Sequence, residues 1–308
     1  MYRSFFLAIA RNGTVKRFLV SFPLLRKVVS KFIVGETWDD ARVAIDTLLD
    51  KGLKVSVDLL EEDQHSPSAV ERNLETYLDT LDQIDKQGWA KDVDLSVKLT
   101  ALGLLLRHGE ELATTNAAKL AAKAKAIGTT ITIDMEDLTT TARTLRVVQA
   151  LRDIDPDVGF TLQANLKRTE TDCRACETAP SRVRLCKGSF RVPAHGAHMD
   201  SHEVDLNYVR CLKTLMEGEG RPLVATHDPV IIEIAQELAA HSNRGLKDFE
   251  FQMIYGIRTV EQERLADLGY QVRVYVPFGT DWYGYFVRRL AERPSNLFFF
   301  LRALISRN

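Results

Sequence analysis

Residues 93–99 read VDLSVKL and residues 129–135 read TTITIDM. In the first run Val93, Leu95, Val97 and Leu99 share one face of an extended chain, and Asp94, Ser96 and Lys98 share the other. The second repeats the pattern, with Ile131 and Ile133 set against Thr130, Thr132 and Asp134. Each run predicts a strand with one face packed on helices and a polar face turned inward, ending in a charge. What such strands belong to is decided by what recurs around them.

Six more runs share this character: residues 54–60 (KVSVDLL), 159–164 (GFTLQA), 182–187 (RVRLCK), 222–227 (PLVATH), 249–254 (FEFQMI) and 271–277 (QVRVYVP). The eight starts lie 39, 36, 30, 23, 40, 27 and 22 residues apart, near the roughly 30 residues of a strand with its crossover helix. Between the runs the period turns helical. Residues 117–127 are rich in Ala and Lys, and residues 139–151 place apolar side chains at helical spacing. Asp228-Pro229 predicts an N-cap followed by a first helical position, and Gly245 predicts the end of the same helix as its C′ residue.

Alternating strands and helices imply a parallel sheet covered by helices. An open doubly wound sheet is one solution. However, Leu60-Glu61-Glu62-Asp63 follows the first strand, in place of the glycine fingerprint of a dinucleotide-binding unit. Residues 54–308 number 255, close to the roughly 250 of an eight-unit barrel. The sequence therefore predicts an α/β fold, a (β/α)8 TIM-type barrel over residues 54–308, with an N-terminal helical extension over residues 1–53.

Composition limits the remaining classes. With 45% hydrophobic and 27% charged residues, 17 Gly and 9 Pro, the chain is neither mainly disordered nor collagen-like. No stretch approaches the roughly 20 uninterrupted apolar residues of a membrane span. Four cysteines make no disulfide scaffold, so a reducing cytoplasm is the default location. The net charge of −1 argues against nucleic acid held by bulk positive charge.

That near-neutral total hides an asymmetry. Residues 1–35 hold Arg3, Arg11, Lys16, Arg17, Arg26, Lys27 and Lys31 and no acid, which leaves −8 on the other 273 residues. The cations interleave with Phe5, Phe6, Leu7, Phe18, Leu19 and Phe22 and break every apolar run, unlike a secretory signal. Two readings stand: amphipathic helices packed on the main domain, or a patch resting on an anionic membrane surface.

Barrel chemistry sits at the C-terminal ends of the strands. The pattern points Lys98, Asp134, Arg273 and Tyr275 inward, and puts Gln163, Lys187, Thr226, His227 and Gln252 at strand ends. Leaving so many polar groups buried without a ligand would cost about 1–3 kcal/mol each, so the rim is built to hold something polar. After the last strand come FGTDWYGY (278–285) and FVRRLAERP (286–294). These predict a helix from near Asp281 to before Pro294, with Glu292 four residues from Arg288 and three from Arg289. The cluster is either a solvated ion-pair group or a guanidinium pair gripping an anion such as a carboxylate.

Cys173-Arg-Ala-Cys176, followed by His195, His198 and His202, lacks zinc-finger spacing, and a strand lies between its halves, so no metal is assigned. Nor does an HxH follow the first strand.

The segments RLCKGSF (184–190), ATHD (225–228), FQMIYG (251–256) and YQVRVYVPFG (270–279), with RRLAE (288–292), resemble the proline dehydrogenases. Paired arginines after a YVPFG strand end are the motif most particular to that family, and the resemblance runs in order from about Lys54 to Leu301. It implies a distorted (β/α)8 barrel holding FAD non-covalently. The implied reaction is oxidation of L-proline to Δ1-pyrroline-5-carboxylate by hydride transfer from proline C5 to flavin N5, the first step of proline degradation to glutamate.

In family terms Lys98, Arg288 and Arg289 bind the proline carboxylate, and Tyr275 and Ile254 pack on the ring. Asp134 lies beside Lys98, and Arg184 resembles the arginine that hydrogen-bonds flavin N5. Met135, Gln163, Lys187, Gly188, Ser189, Thr226, His227 and Glu292 match cofactor contacts. Phe190 stands where the family commonly has Tyr, and Ser189 where it commonly has Ala. Glu61 or Glu62 is expected to pair with Arg288 and gate the pocket.

The resemblance also implies partners: a quinone or other electron acceptor, and a separate pyrroline-5-carboxylate dehydrogenase, since an aldehyde dehydrogenase domain would need several hundred more residues. With the basic N-terminal segment, it suggests a cytoplasmic protein peripheral to the inner face of the membrane. Two rival readings remain at this stage: a Schiff-base aldolase using Lys98 or Lys187, and a barrel that binds without catalysing.

Overall fold

Each of the eight alternating runs forms a strand, and every strand pairs in parallel with the next. The computed structural model describes residues 32–60, 65–176, 178, 181–188, 192–283 and 285. The strands are β1 (Lys54–Leu59), β2 (Val93–Val97), β3 (Ile131–Ile133), β4 (Gly159–Gln163), β5 (Arg182–Cys186), β6 (Arg221–Ala225), β7 (Glu250–Ile254) and β8 (Gln271–Phe278). Strand β8 pairs back onto β1, with Lys54 opposite Arg273 and Leu59 opposite Phe278, so the sheet is a closed barrel.

Eight helices occur among the described residues: α1 (Trp38–Leu49), α2 (Pro67–Lys86), α3 (Gly109–Ile127), α4 (Leu138–Arg152), α5 (Thr169–Ala175), α6 (Ser201–Glu217), α7 (Pro229–His241) and α8 (Thr259–Asp267). The last seven follow strands β1 to β7. Helix α1 precedes the barrel and packs on its closing seam, with Trp38 edge-on to Phe278 (centroids 6.0 Å apart) and Ala41, Ile45 and Leu48 buried.

The apolar core lies between sheet and helices, where Val55, Val57, Val93, Leu95, Val97, Ile131, Ile133, Val272, Val274 and Val276 are all buried. The inside of the barrel is different. In place of the branched aliphatic layers common in such barrels, it holds ion pairs and hydroxyls. Arg273 bonds Glu250 at 2.7 Å, and Arg184 bonds Ser56 and Ser96. The inward faces of β2, β3 and β8 are those their alternation predicts.

Helix α7 starts as read, with the Asp228 carboxylate accepting from Val230 N–H and Pro229 in the first turn. Its end corrects the expectation. The C-cap is Ser242, and the left-handed residue beyond it is Asn243 (φ 53°), not Gly245. Asn tolerates that conformation, and the Arg244 guanidinium then turns back to the carbonyls of Leu215 and Met216 at the end of α6. No helix among the described residues is long and apolar enough to cross a membrane.

Candidate active site

At the C-terminal end of the barrel a cavity of about 600 Å³ is lined by Asp58, Lys98, Asp134, Arg184 and Tyr275 at its floor. Each comes from a different strand, Arg184 and Tyr275 from within it and Asp58, Lys98 and Asp134 from its end or just beyond, so the closed sheet sets their spacing. The floor is one network. Asp134 Oδ1 accepts from Arg184 Nη1 (2.7 Å) and Ser96 Oγ (3.0 Å), and Asp134 Oδ2 accepts from the Tyr275 hydroxyl (2.8 Å). Lys98 Nζ bonds Asp58 Oδ1 and stands 3.9 Å from Asp134 Oδ2. Two carboxylates therefore face two cations.

Arg184 spans the barrel axis. Its Nε donates to Gln252 (2.6 Å), its Nη2 to Ser56 (3.0 Å), and its charge lies 5.2 Å from the centre of the Tyr275 ring. Burial opposes that charge, but Asp134 and Asp94 outweigh it and raise the pKa further. Burial, helped by Asp134 and Asp58, holds the Tyr275 phenol well above its usual range, so it stays a donor.

Lys98 is likewise raised, because Asp58 and Asp134 overcome its burial. Lys187 is raised too, as its bonds to Asp205 (2.5 Å) and Asp228 (3.0 Å) overcome partial burial. A Schiff-base lysine needs the opposite shift, so neither amine suits the aldolase reading.

The same cavity gathers Met135, Lys187, Gly188, Thr226, His227 and Ile254. Ile254 N–H donates to His227 Nε2 (2.8 Å), which makes that nitrogen the unprotonated one. Gln163 is not part of the lining. It is buried behind it, donating to the Glu136 carbonyl (2.8 Å). Ser189, Phe190, Arg288, Arg289, Glu292, Glu61 and Glu62 lie outside the described residues, as does residue 1–31 of the basic segment.

Asp58, Glu136 and Arg258 are among the lining residues that the sequence does not single out. Asp58 shares the inward face of β1 with Ser56, so alternation carries it. Glu136 accepts from Thr100 Oγ1 (2.6 Å), and Arg258 donates to the His227 carbonyl (2.8 Å) from a left-handed backbone. Neither contact has a local signal.

A second cavity, of about 740 Å³, opens at the other end of the barrel. Three of its cations are engaged in structure: Arg273 on Glu250, Lys54 on Asp92 at 3.4 Å, and Arg244 on helix-end carbonyls. The CxxC residues are structural as well. Cys173 is buried against Cys211, which with burial pushes its thiol pKa far up. No cluster of three or more metal-ligating side chains occurs among the described residues.

The cavity can take a large, partly polar ring system. Its walls are apolar at Met135, Met253 and Ile254, and its donors are Arg184, Lys187 and Thr226. At Gly188 (φ 96°) the backbone lies against the Asn165 amide, where a Cβ would collide, and Asn165 Oδ1 is a buried acceptor with no hydrogen-bond partner among the described residues. A flat heteroaromatic with ring N–H and carbonyl groups, such as a flavin, fits that combination.

A sequence profile for proline dehydrogenase matches residues 41–301. Proline dehydrogenase 1 of Bacillus subtilis (strain 168) is 34% identical over 307 residues, 100% of each chain. The proline dehydrogenase of Deinococcus radiodurans is 33% identical over 308 residues, 99% of this chain and 98% of its own. Among solved structures, proline utilization A (PutA) from Bdellovibrio bacteriovorus inactivated by N-propargylglycine aligns with a TM-score of 0.80 at 23% identity. The match covers 92% of this chain and 34% of that one, and bears on the fold alone.

Proposed function

The chain belongs to the proline dehydrogenase family, and from that premise we propose that it binds FAD in the cavity above Arg184 and oxidises L-proline at C5 to Δ1-pyrroline-5-carboxylate. The observation that carries this reading is the floor network, which puts Lys98, Asp134, Arg184 and Tyr275 in mutual contact beneath one cavity.

The flavin supplies the acceptor for the hydride that leaves C5. The chain supplies position and charge. Lys98, with Arg288 and Arg289 from the family pattern, anchors the substrate carboxylate, and such clamping is worth several kcal/mol when it holds reacting atoms in line. Tyr275 is fixed by its bond to Asp134, and its ring, with Ile254 beside it on the adjacent strand, would pack on the pyrrolidine. Arg184 is held by four partners and keeps a fixed positive charge on the cavity floor, where it would favour electron gain by a bound flavin. Met135, Lys187, Gly188, Thr226 and His227 form the cofactor wall, joined from the family pattern by Gln163, Ser189 and Glu292. A quinone would be a suitable acceptor for the electrons, the basic residues 1–35 would suit an anionic membrane surface, and the product would be a substrate for a pyrroline-5-carboxylate dehydrogenase.

Purified protein is expected to be yellow. Its flavin absorbance should be bleached by L-proline without oxygen and restored by a quinone analogue. A colourless protein that neither takes up FAD nor reduces a dye with proline overturns the reading.

A further inference from the structure

One carboxylate oxygen on the cavity floor has no task in this scheme. Asp134 is committed on both sides, to Arg184 and Ser96 through Oδ1 and to Tyr275 through Oδ2. Asp58 is not. It ends the inward face of β1, is 0% exposed, and gives Oδ1 to Lys98, while its Oδ2 is buried with no hydrogen-bond partner among the described residues. Yet the residue lines the cavity. A buried unpaired acceptor is costly, and a counter-ion for Lys98 needs only the other oxygen. The vacant oxygen therefore awaits a donor that arrives with the ligand.

The substrate class supplies one. A cyclic secondary amino acid carries its ring ammonium on the same carbon as its carboxylate. If Lys98 anchors the carboxylate, the ammonium lies beside the carboxylate bonded to Lys98. The ammonium nitrogen cannot form a C=N bond until it has lost a proton and regained its electron pair.

We propose that Asp58 is the catalytic base of the reaction: Oδ2 receives a hydrogen bond from the substrate ring ammonium and then takes its proton. The inference rests on the functional reading above. In this step one N–H bond breaks and one O–H bond forms. Both electrons of the broken bond remain on nitrogen, and nothing is oxidised or reduced. The pair left on nitrogen becomes the second bond of C=N as the C5 hydride departs.

The surroundings suit such a base. Burial pushes the Asp58 carboxyl up, Lys98 pulls it down, Asp134 pushes it up again, and the nearby Tyr275 hydroxyl, whose hydrogen bond goes to Asp134, lowers it a little, with a net rise from the ordinary aspartate value. The other titratable groups facing it are Tyr275 from β8 and Tyr77 from α2, both held neutral far above their usual range. A raised carboxyl is a better proton acceptor at working pH than an ordinary one.

The test compares L-proline with its ring-oxygen analogue, (S)-tetrahydrofuran-2-carboxylate, which keeps the carboxylate but has no N–H. Flavin bleaching by proline is followed in single turnover against pH, and analogue binding by the change in flavin absorbance. Asp58→Asn should bind the analogue within about twofold of wild type, bleach roughly 100-fold more slowly or worse, and lose the fall in rate on the acid side.

Should that variant fail to fold, wild-type holoenzyme decides alone. The rate with proline should rise with pH through a group that leaves the analogue's affinity unweakened on its acid side. Two results overturn the role: an Asp58→Asn rate equal to wild type, or analogue affinity lost in step with proline oxidation, in the variant or across pH. A wild-type flavoprotein that proline never bleaches would instead overturn the functional reading, and the role of Asp58 with it.

Discussion

Glu250 and Arg273 show what a single pair contributes inside this barrel. Glu250 is 1% exposed and takes the Arg273 Nε bond at 2.7 Å, and Arg273 also bonds the Val55 carbonyl at 2.8 Å. Burial alone would raise the Glu250 carboxyl, but Arg273 overrides it and holds the pKa at about 2, against 4.5 for a free glutamate. A depressed carboxylate stabilises the fold fully above its unfolded pKa and loses that contribution as pH falls from about 4.5 toward 2. The shift corresponds to about 3 kcal/mol. Glu250→Gln is therefore expected to cost about 3 kcal/mol at neutral pH, since Arg273 keeps Asp94 (3.6 Å) as a charged partner, and to flatten the loss of stability in acid. Urea melts at several pH values check this; parallel curves for variant and wild type would refute it. The same residues show what sequence carries. Lys98, Asp134, Arg273 and Tyr275 are legible because a strand's alternation fixes which way each points. That Asp58 meets Lys98, 40 residues later in the chain, depends on which strand ends adjoin. Gln163 shows the converse, since it is at a strand end as read, but its amide is spent on Glu136.

At the scale of elements, helix α7 joins stability to the cofactor wall through one residue. Asp228 caps the helix with Oδ1 on Val230 N–H (3.1 Å) and holds Lys187 with Oδ2 (3.0 Å). Burial would raise this carboxyl, but the Lys187 bond and backbone N–H groups lower it. The two duties separate by substitution. Asn caps as well as Asp, whereas Ala cannot cap and costs about 1 kcal/mol, within a range of roughly 0.5–2. Asp228→Ala should therefore lower stability by about that amount, while Asp228→Asn stays near wild type in thermal melts. Both should weaken FAD binding if Lys187 serves the cofactor. Equal melts for the two variants would mean that the cap contributes nothing. The start of α7 is plain in the sequence because Asp-Pro has few other uses. Its end is not, because Asn243 and Gly245 both tolerate the left-handed turn, and the Arg244 contacts with α6 exist only after folding.

For the molecule as a whole, the barrel was legible from the count and spacing of eight runs. The polar character of its interior followed from the inward faces. The charge asymmetry acquires a direction from the contacts of residues 33–35. Ile33 is buried, Val34 N–H bonds the Pro277 carbonyl (3.3 Å), and Gly279 N–H bonds the Gly35 carbonyl (3.1 Å). Pro277 and Gly279 stand at the C-terminal end of β8, so the seven-cation segment joins the barrel at the end that carries the active-site cavity. A basic segment near anionic lipid gains about 1 kcal/mol per Lys or Arg close to the surface, and salt screens that gain. Held there, the cavity mouth would lie on the membrane side, within reach of the proposed quinone acceptor. Vesicles containing anionic lipid should therefore sediment with wild type more strongly than neutral vesicles do, and salt should weaken the difference. Replacing the seven cations with Gln tests the segment better than removing residues 1–35, because truncation would also strip Ile33 and the Val34 bond from the barrel. Equal retention of wild type and the charge-neutralised protein would return the segment to the plain reading of helices packed on the domain.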